Sequence, residues 1–244
     1  MSQIQRIVIT PDQLQLPTLH LTPDQTHYLT RVLRLQPGDR FIAMTGGGEN
    51  WLVQLEQRDG ATLLELLDVR SELPIAVTLA LALPKGNAFD DVVRQVTELG
   101  VSRILPILSD RTLLQPSANK LDRWRKIAQE AAEQSERAIV PTIADPVSWK
   151  QHLQAVQTEP QGLHYLCWSR GDSPHLMPLL QTGSNTQLPT ELVIAIGPEG
   201  GWTEGEVNQG IQAGYQTVSL GPRILRAVTA PVVAMAIVAA IFEK

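Results

Sequence analysis

The chain has 244 residues, 43% hydrophobic and 18% charged, enough apolar material for two cores and too little unbalanced charge for a disordered polymer. Lys and Arg number 20 against 25 Asp and Glu, a formal charge of -5, so bulk attraction to nucleic acid or an acidic membrane is excluded and such binding must use local patches. The single cysteine, Cys167, excludes an internal disulfide and a thiolate zinc site.

The amino terminus, Met1 to Arg6, lacks the basic, apolar, small-residue order of a secretory signal. The longest apolar run, Ala230 to Phe242, has 13 residues, short of the roughly 20 a spanning helix needs, and reads as a buried helix. These features lead us to expect a cytoplasmic protein in a reducing compartment with no membrane partner.

In chain order, Ile7 to Thr10, Arg40 to Thr45, Trp51 to Gln57 and Thr62 to Val69 read as short strands. Pro37-Gly38-Asp39, Gly46-Gly47-Gly48 and Asp59-Gly60 supply the turns. Thr22, Pro23 and Gln25 form a capping box with proline at the first helical position, opening an amphipathic helix through Leu33. A small half-closed β-barrel over residues 1–72 fits. After Ser71-Glu72-Leu73-Pro74 the rhythm changes to apolar strands alternating with helices, predicting an α/β domain with a parallel sheet over residues 73–244. Its strand candidates are Ile75 to Leu83, Ile104 to Leu108, Ile139 to Ile143, Leu163 to Trp168, Leu192 to Ile196 and Thr217 to Leu220. The helix candidates are Ala88 to Leu99, Lys120 to Glu136, a short one after Pro146, Glu204 to Ala213 and Ala230 to Phe242. Gln181 to Pro189 is polar and reads as a surface loop.

Basic residues are densest in the middle, where residues 73–150 hold 10 basic and 9 acidic side chains. Lys120, Arg123, Arg125 and Lys126 open one helix and Arg137 closes it. They read either as a solvated face pairing with Glu130 and Glu133 or as phosphate contacts.

Two strand-loop-helix units near the carboxyl end carry the chemistry. Leu192 to Ile196 runs into Gly197-Pro198-Glu199-Gly200-Gly201-Trp202, followed by a capping box of Thr203 and Glu206. Thr217 to Leu220 runs into Gly221-Pro222-Arg223-Ile224-Leu225-Arg226. Both loops leave the carboxyl ends of predicted parallel strands, where open α/β sheets bind ligands. Gly197, Gly200 and Gly201 let main-chain groups approach a ligand closely. Neither a P-loop Lys-Ser/Thr nor a GxGxxG fingerprint is present. A carboxylate at Glu199 would repel a pyrophosphate yet tolerate an adenosine carrying a cationic centre, which favours a sulfonium cofactor over ATP or NAD. The alternative is that these are tight connections whose glycines only satisfy turn geometry.

The loop pair Gly197-Pro198-Glu199-Gly200-Gly201 and Leu220-Gly221-Pro222-Arg223-Ile224-Leu225-Arg226 resembles that of the ribosomal RNA small subunit methyltransferase E family, a branch of the knotted SPOUT methyltransferases. His27, Arg31-Val32-Leu33-Arg34, Gly38-Asp39, Leu83-Pro84-Lys85-Gly86, Thr97-Glu98-Leu99-Gly100-Val101, Lys120, Arg123-Trp124, Glu130-Ala131, Glu133-Gln134 and Arg137 extend the similarity over nearly the whole chain. The resemblance implies a PUA-like amino-terminal domain, a methyltransferase domain whose end threads a trefoil knot, and a homodimer through the carboxyl-terminal helix. It implies transfer of the methyl group of S-adenosylmethionine to N3 of one uridine in small-subunit ribosomal RNA. Leu83, Gly197, Gly200, Gly201, Leu220, Ile224 and Leu225, with Pro198 and Gly221, would then line the cofactor pocket, and Arg226 would face the target base.

Three departures bear on catalysis. Ala227-Val228 stands where the family usually has Thr-Glu, Ser135-Glu136-Arg137 where it has Ser-Gly-Arg, and Gln95 where lysine is common. Uridine N3 must lose its proton, and the charge left on the base oxygens needs stabilising. Arg226 is the candidate for that task, Arg223 for holding a phosphate or the loop, and Glu199 for a base only if burial raises its proton affinity; the alternative for Arg226 is a brace to Glu199. Arg31, Arg34, Lys85, Lys120, Arg123, Arg125 and Arg137 are the candidate RNA contacts. The histidines show no metal-ligand spacing, and no metal is expected. Trp202 reads as capping the core rather than stacking on a base. The competing reading, from the missing carboxylate at Val228, is a non-catalytic RNA-binding or ribosome-assembly factor on the same fold; a nonstandard nucleotide-dependent enzyme is a third.

Overall fold

The computed structural model describes the chain apart from residues 1–3, 58–59, 87, 113–114, 159–161, 185–188 and 244. The chain forms two compact units: one is the chain up to Glu72 together with Ala132–Val140, the other is Leu73–Ala131 and the chain from Pro141 onward.

The first unit contains β1 (Arg6–Val8), a 3-10 turn (Pro11–Gln13), β2 (Leu14–Gln15), β3 (Thr18–His20), α1 (Pro23–His27), β4 (Arg40–Met44), β5 (Asn50–Leu55) and β6 (Gly60–Leu67). The sheet order is β1-β4-β5-β6-β3-β2, antiparallel except that β1 runs parallel to β4. Leu19, Leu29, Phe41, Val53 and Leu55 fill its core. Thr22 and Gln25 make the expected capping box. The helix then widens into one π turn, Tyr28–Val32, which leaves Arg34 beyond it at φ 60°. Strands β2 and β3 went unread because two or three residues carry no legible alternation. Asp59 of the expected Asp59-Gly60 turn lies outside the described residues.

The segment 132–140 completes this unit. Val8 N–H donates to Glu133 Oε1 at 2.8 Å, Gly48 N–H to the Ala138 carbonyl at 3.2 Å and Val140 N–H to the Gly46 carbonyl at 3.0 Å. The expected strand Ile139 to Ile143 is therefore divided. Ile139 bridges Gly47, and only Thr142–Ile143 joins the α/β sheet.

The second unit runs β7 (Ala76–Ala82), α2 (Ala88–Glu98), β8 (Arg103–Leu108), α3 (Ala118–Gln134), β9 (Thr142–Ile143), β10 (Val147–Ser148), α4 (Trp149–Thr158), β11 (Leu163–Cys167), α5 (Leu176–Ser184), β12 (Glu191–Ile196), α6 (Glu204–Gln212), β13 (Gln216–Val218) and α7 (Thr229–Phe242). The last three residues of α3 count with the first unit. All pairings are parallel, in the order β10-β8-β7-β12-β11-β13, with β9 beside β8. Both faces are covered, which is why the strands read as continuous apolar runs. Val77, Leu79 and Leu81 point into a core shared with α2, α3, α5 and α7, whereas Ala80 and Ala82 point into one shared with α4 and α6. The apolar α7 packs on α2, α5 and β12, as its composition demands. Helix α5 is a correction: its run to Ser184 takes up the start of the expected Gln181 to Pro189 loop, of which residues 185–188 lie outside the described chain.

Candidate functional site

Strand β11 lies between β12 and β13, all parallel, so their carboxyl ends open on one edge. The loops that follow enclose one open cleft of about 810 Å³, its mouth included. From the β12 loop it is lined by Gly197, Pro198, Glu199, Gly200, Gly201 and Trp202, and from the β13 loop by Ser219, Leu220, Gly221, Arg223, Ile224, Leu225 and Ala227. The two glycine loops are thus brought together as expected.

Two expected residues are not on that wall. Leu83 is 1% exposed and belongs to the hydrophobic core, because the side chain after β7 turns into the layer occupied by α2. Arg226 is exposed at the turn that starts α7, where its carbonyl accepts the Thr229 and Ala230 N–H groups; Ala227 and Ala230 form the wall there. A third wall was missed: Cys167 at the end of β11 and Trp168, Ser169 and Arg170 after it. Its strand was legible, but only the sheet order places it between the other two.

The wall at Gly197 is shaped by what stands behind it. A Cβ there would lie 3.1 Å from Trp202 N and 3.2 Å from the indole Cδ1 and Nε1. Trp202 is 5% exposed and packs on Trp149 at 4.7 Å between ring centroids, so it is a core residue as expected. Its Nε1–H nevertheless has no acceptor among the described residues, a buried donor close behind Gly197. Glu199 does not pair with Arg226: its Oε1 accepts the Lys85 main-chain N–H at 2.9 Å. Burial pushes the Cys167 thiol up to about 12, leaving it a neutral packing group rather than a nucleophile.

A basic cluster lies at the start of α2 and α3. Lys85 is exposed, Lys120 Nζ donates to the Gly86 carbonyl at 2.9 Å and sits 5.8 Å from the Trp124 ring, and Arg123 pairs with Asp90 at 2.7 Å. Asp90 also accepts the Trp124 indole N–H at 2.9 Å, so it fixes Arg123 while leaving that side chain 64% exposed. Arg125 and Lys126 follow the solvated-face reading, paired with Asp122, Asp145 and Glu130. Arg137 is a correction. It lies inside the first unit with its side chain 3% exposed, bonded to Glu72 at 2.6 Å, and a guanidinium so enclosed cannot meet a phosphate. Arg31 and Arg34 are exposed in the first unit, although Arg34 is past the helix rather than one helical turn on.

A family described as RNA methyltransferase domain matches residues 71–239, and one described as RNA methyltransferase PUA domain matches residues 21–66. A Synechocystis protein named ribosomal RNA small subunit methyltransferase E is 49% identical over 98% of this chain and 78% of its own length. The chain belongs to the ribosomal RNA small subunit methyltransferase E family. Its member from Bacillus subtilis is 32% identical over 94% of this chain and 93% of its own. The crystal structure of the family member from Neisseria gonorrhoeae, bound to S-adenosyl methionine, is 29% identical, covers 96% of each chain and superposes with a TM-score of 0.84. The PUA domain and the parallel α/β methyltransferase fold expected of the family are both present.

Proposed function

We propose that this protein is an S-adenosylmethionine-dependent methyltransferase that modifies N3 of a uridine in small-subunit ribosomal RNA. The observation that carries the reading is the meeting of the two glycine loops around one cleft at the carboxyl ends of β12 and β13. These residues fit an adenosine-type methyl donor: the wall is built mostly of glycines and other small or aliphatic residues, and no Lys-Ser/Thr phosphate cradle competes. When bound, the donor supplies an electrophilic methyl group on a sulfonium.

The chain's own residues then have three tasks. Gly197, Gly200, Gly201, Leu220, Gly221, Ile224 and Leu225 hold the donor, with Pro198 fixing the turn. Arg223 on the wall and Arg226 at its rim offer guanidinium groups to the base oxygens, whose charge rises as N3 loses its proton. Glu199 orders the loops through Lys85, so the proton passes to solvent or to a group outside this wall. Lys85, Lys120 and Arg123, with Arg31 and Arg34, contact RNA phosphates. We further propose that the protein works in the cytoplasm as a homodimer through α7, whose apolar surface suits a partner copy, with its terminal segment threaded as the family resemblance implies.

Methylation of small-subunit particles with labelled donor, followed by mapping of the modified base, tests the reading. Label in N3-methyluridine is the expected result. Binding to RNA without donor binding or methyl transfer would instead identify an assembly factor. Arg226→Ala should cut methyl transfer by orders of magnitude while leaving donor affinity intact; equal loss of both would remove Arg226 from the reaction.

A further inference from the structure

The loop between β8 and α3 grips the glycine loop from behind. Asp110 N–H donates to Glu206 Oε1 at 2.9 Å, and Glu206, 3% exposed, also accepts the Thr203 N–H at 2.8 Å. The next residue, Arg111, donates from Nη1 to the Gly200 carbonyl, and its Cδ lies 3.1 Å from where a Gly200 Cβ would stand. The other end of the same peptide plane is also fixed, since Gly201 N–H donates to the Pro198 carbonyl at 2.8 Å. A trans peptide sends its C=O and N–H in opposite directions, so these two bonds set the rotation of the Gly200–Gly201 plane. Glycines on both sides offer no steric barrier of their own to that rotation. From the plane the chain passes through Gly201 at φ +69° into Trp202, which carries the acceptor-less N–H.

We infer that Arg111 is a positioning residue for the methyl donor. It does not line the cleft; it holds the Gly200–Trp202 wall in the shape that receives the donor. The inference rests on the reading of the cleft given under Proposed function.

Titration calorimetry with S-adenosylmethionine and steady-state kinetics on small-subunit particles test it, using the full-length protein, Arg111→Ala, Arg111→Lys and Gly200→Ala. Arg111→Ala should weaken donor binding about tenfold and raise KM for the donor, with KM for the particle and the thermal unfolding midpoint close to those of the parent. Arg111→Lys should recover part of the loss, because an ammonium still donates to the carbonyl but without the planar fork. Gly200→Ala should act in the same direction by pressing on the Arg111 stem, and combining it with Arg111→Ala should give less than the product of the two effects. A parent-like donor affinity in Arg111→Ala, with a raised KM for the particle and a flatter salt dependence, would overturn the inference and make Arg111 an RNA contact. A parent protein that binds no donor would overturn both the inference and the reading beneath it.

Discussion

The Glu199 carboxylate accepts the main-chain N–H of Lys85 at 2.9 Å, joining the loop after β12 to the loop after β7. A carboxylate used in this way ties the two loops together. Glu199→Gln keeps a carbonyl oxygen for the same N–H and should retain methyl transfer within about tenfold, the scale of a charged-to-neutral hydrogen-bond difference. Glu199→Ala should lose more, through donor affinity. Side-by-side turnover measurements decide it: a collapse of Glu199→Gln to the level of Glu199→Ala would restore the base assignment.

Gly197 offers a steric test of the same wall. An added Cβ would come within 3.1 to 3.2 Å of Trp202 atoms, and Trp149 behind that indole limits its retreat. Gly197→Ala should weaken donor binding by at least about tenfold and reduce stability by about 1–3 kcal/mol, the usual range for overpacking. Calorimetric titration and urea unfolding measure the two effects separately.

Arg137 and Glu72 form an enclosed pair, and the same carboxylate accepts the N–H groups of Ala138 and Ile139 at 2.9 and 3.1 Å. Replacing Arg137 by Met would leave that carboxylate without its cation, at a cost of about 3 kcal/mol. Urea unfolding should register the loss. The slope of RNA affinity against salt should stay the same, whereas Lys85→Ala should flatten it.

His152 sets a pH dependence. Burial holds its imidazole down to about 4, with His164 and Arg103 acting in the same direction, and Nε2 lies 2.6 Å from the Tyr215 hydroxyl. The unfolded chain would titrate near the ordinary value of about 6.5. Between those limits the unfolded state binds more protons, so this contribution is complete above pH ~6.5, declines as the pH falls and is gone below about 4. The change is on the order of 3 kcal/mol for a group this buried. Burial also lowers the His164 value, which adds to the decline, while Glu191 opposes it. His152→Gln keeps a partner for Tyr215 and should flatten unfolding midpoints across this acidic range; an unchanged profile would assign the decline to other groups.

The capping boxes at Thr22 and Thr203, the change of rhythm after Pro74 and the two glycine loops were legible because each is a local pattern within a few residues. The β11 wall was not, since Cys167 to Arg170 carry no signal of their own and acquire one only when β11 pairs between β12 and β13. Arg137 misled for a related reason. Charge is visible in a sequence, but the carboxylate that neutralises it is Glu72, 65 residues away. At Leu83 the end of β7 was legible, whereas the burial of the side chain that follows it, in the core layer of Leu79, Leu81 and α2, is a matter of packing.

The first unit closes only with residues far downstream, because Val8, Gly46 and Gly48 find their partners at Glu133, Val140 and Ala138. A fragment ending at Glu72 would hold all six strands of the sheet but lack the segment that meets Val8, Gly46 and Gly48. On the ribosome the wait is concrete: roughly 70 further residues must be made before the last piece exists, several seconds at about 5–20 residues per second. The first unit thus cannot be finished before residues 73–131 of the other have been made.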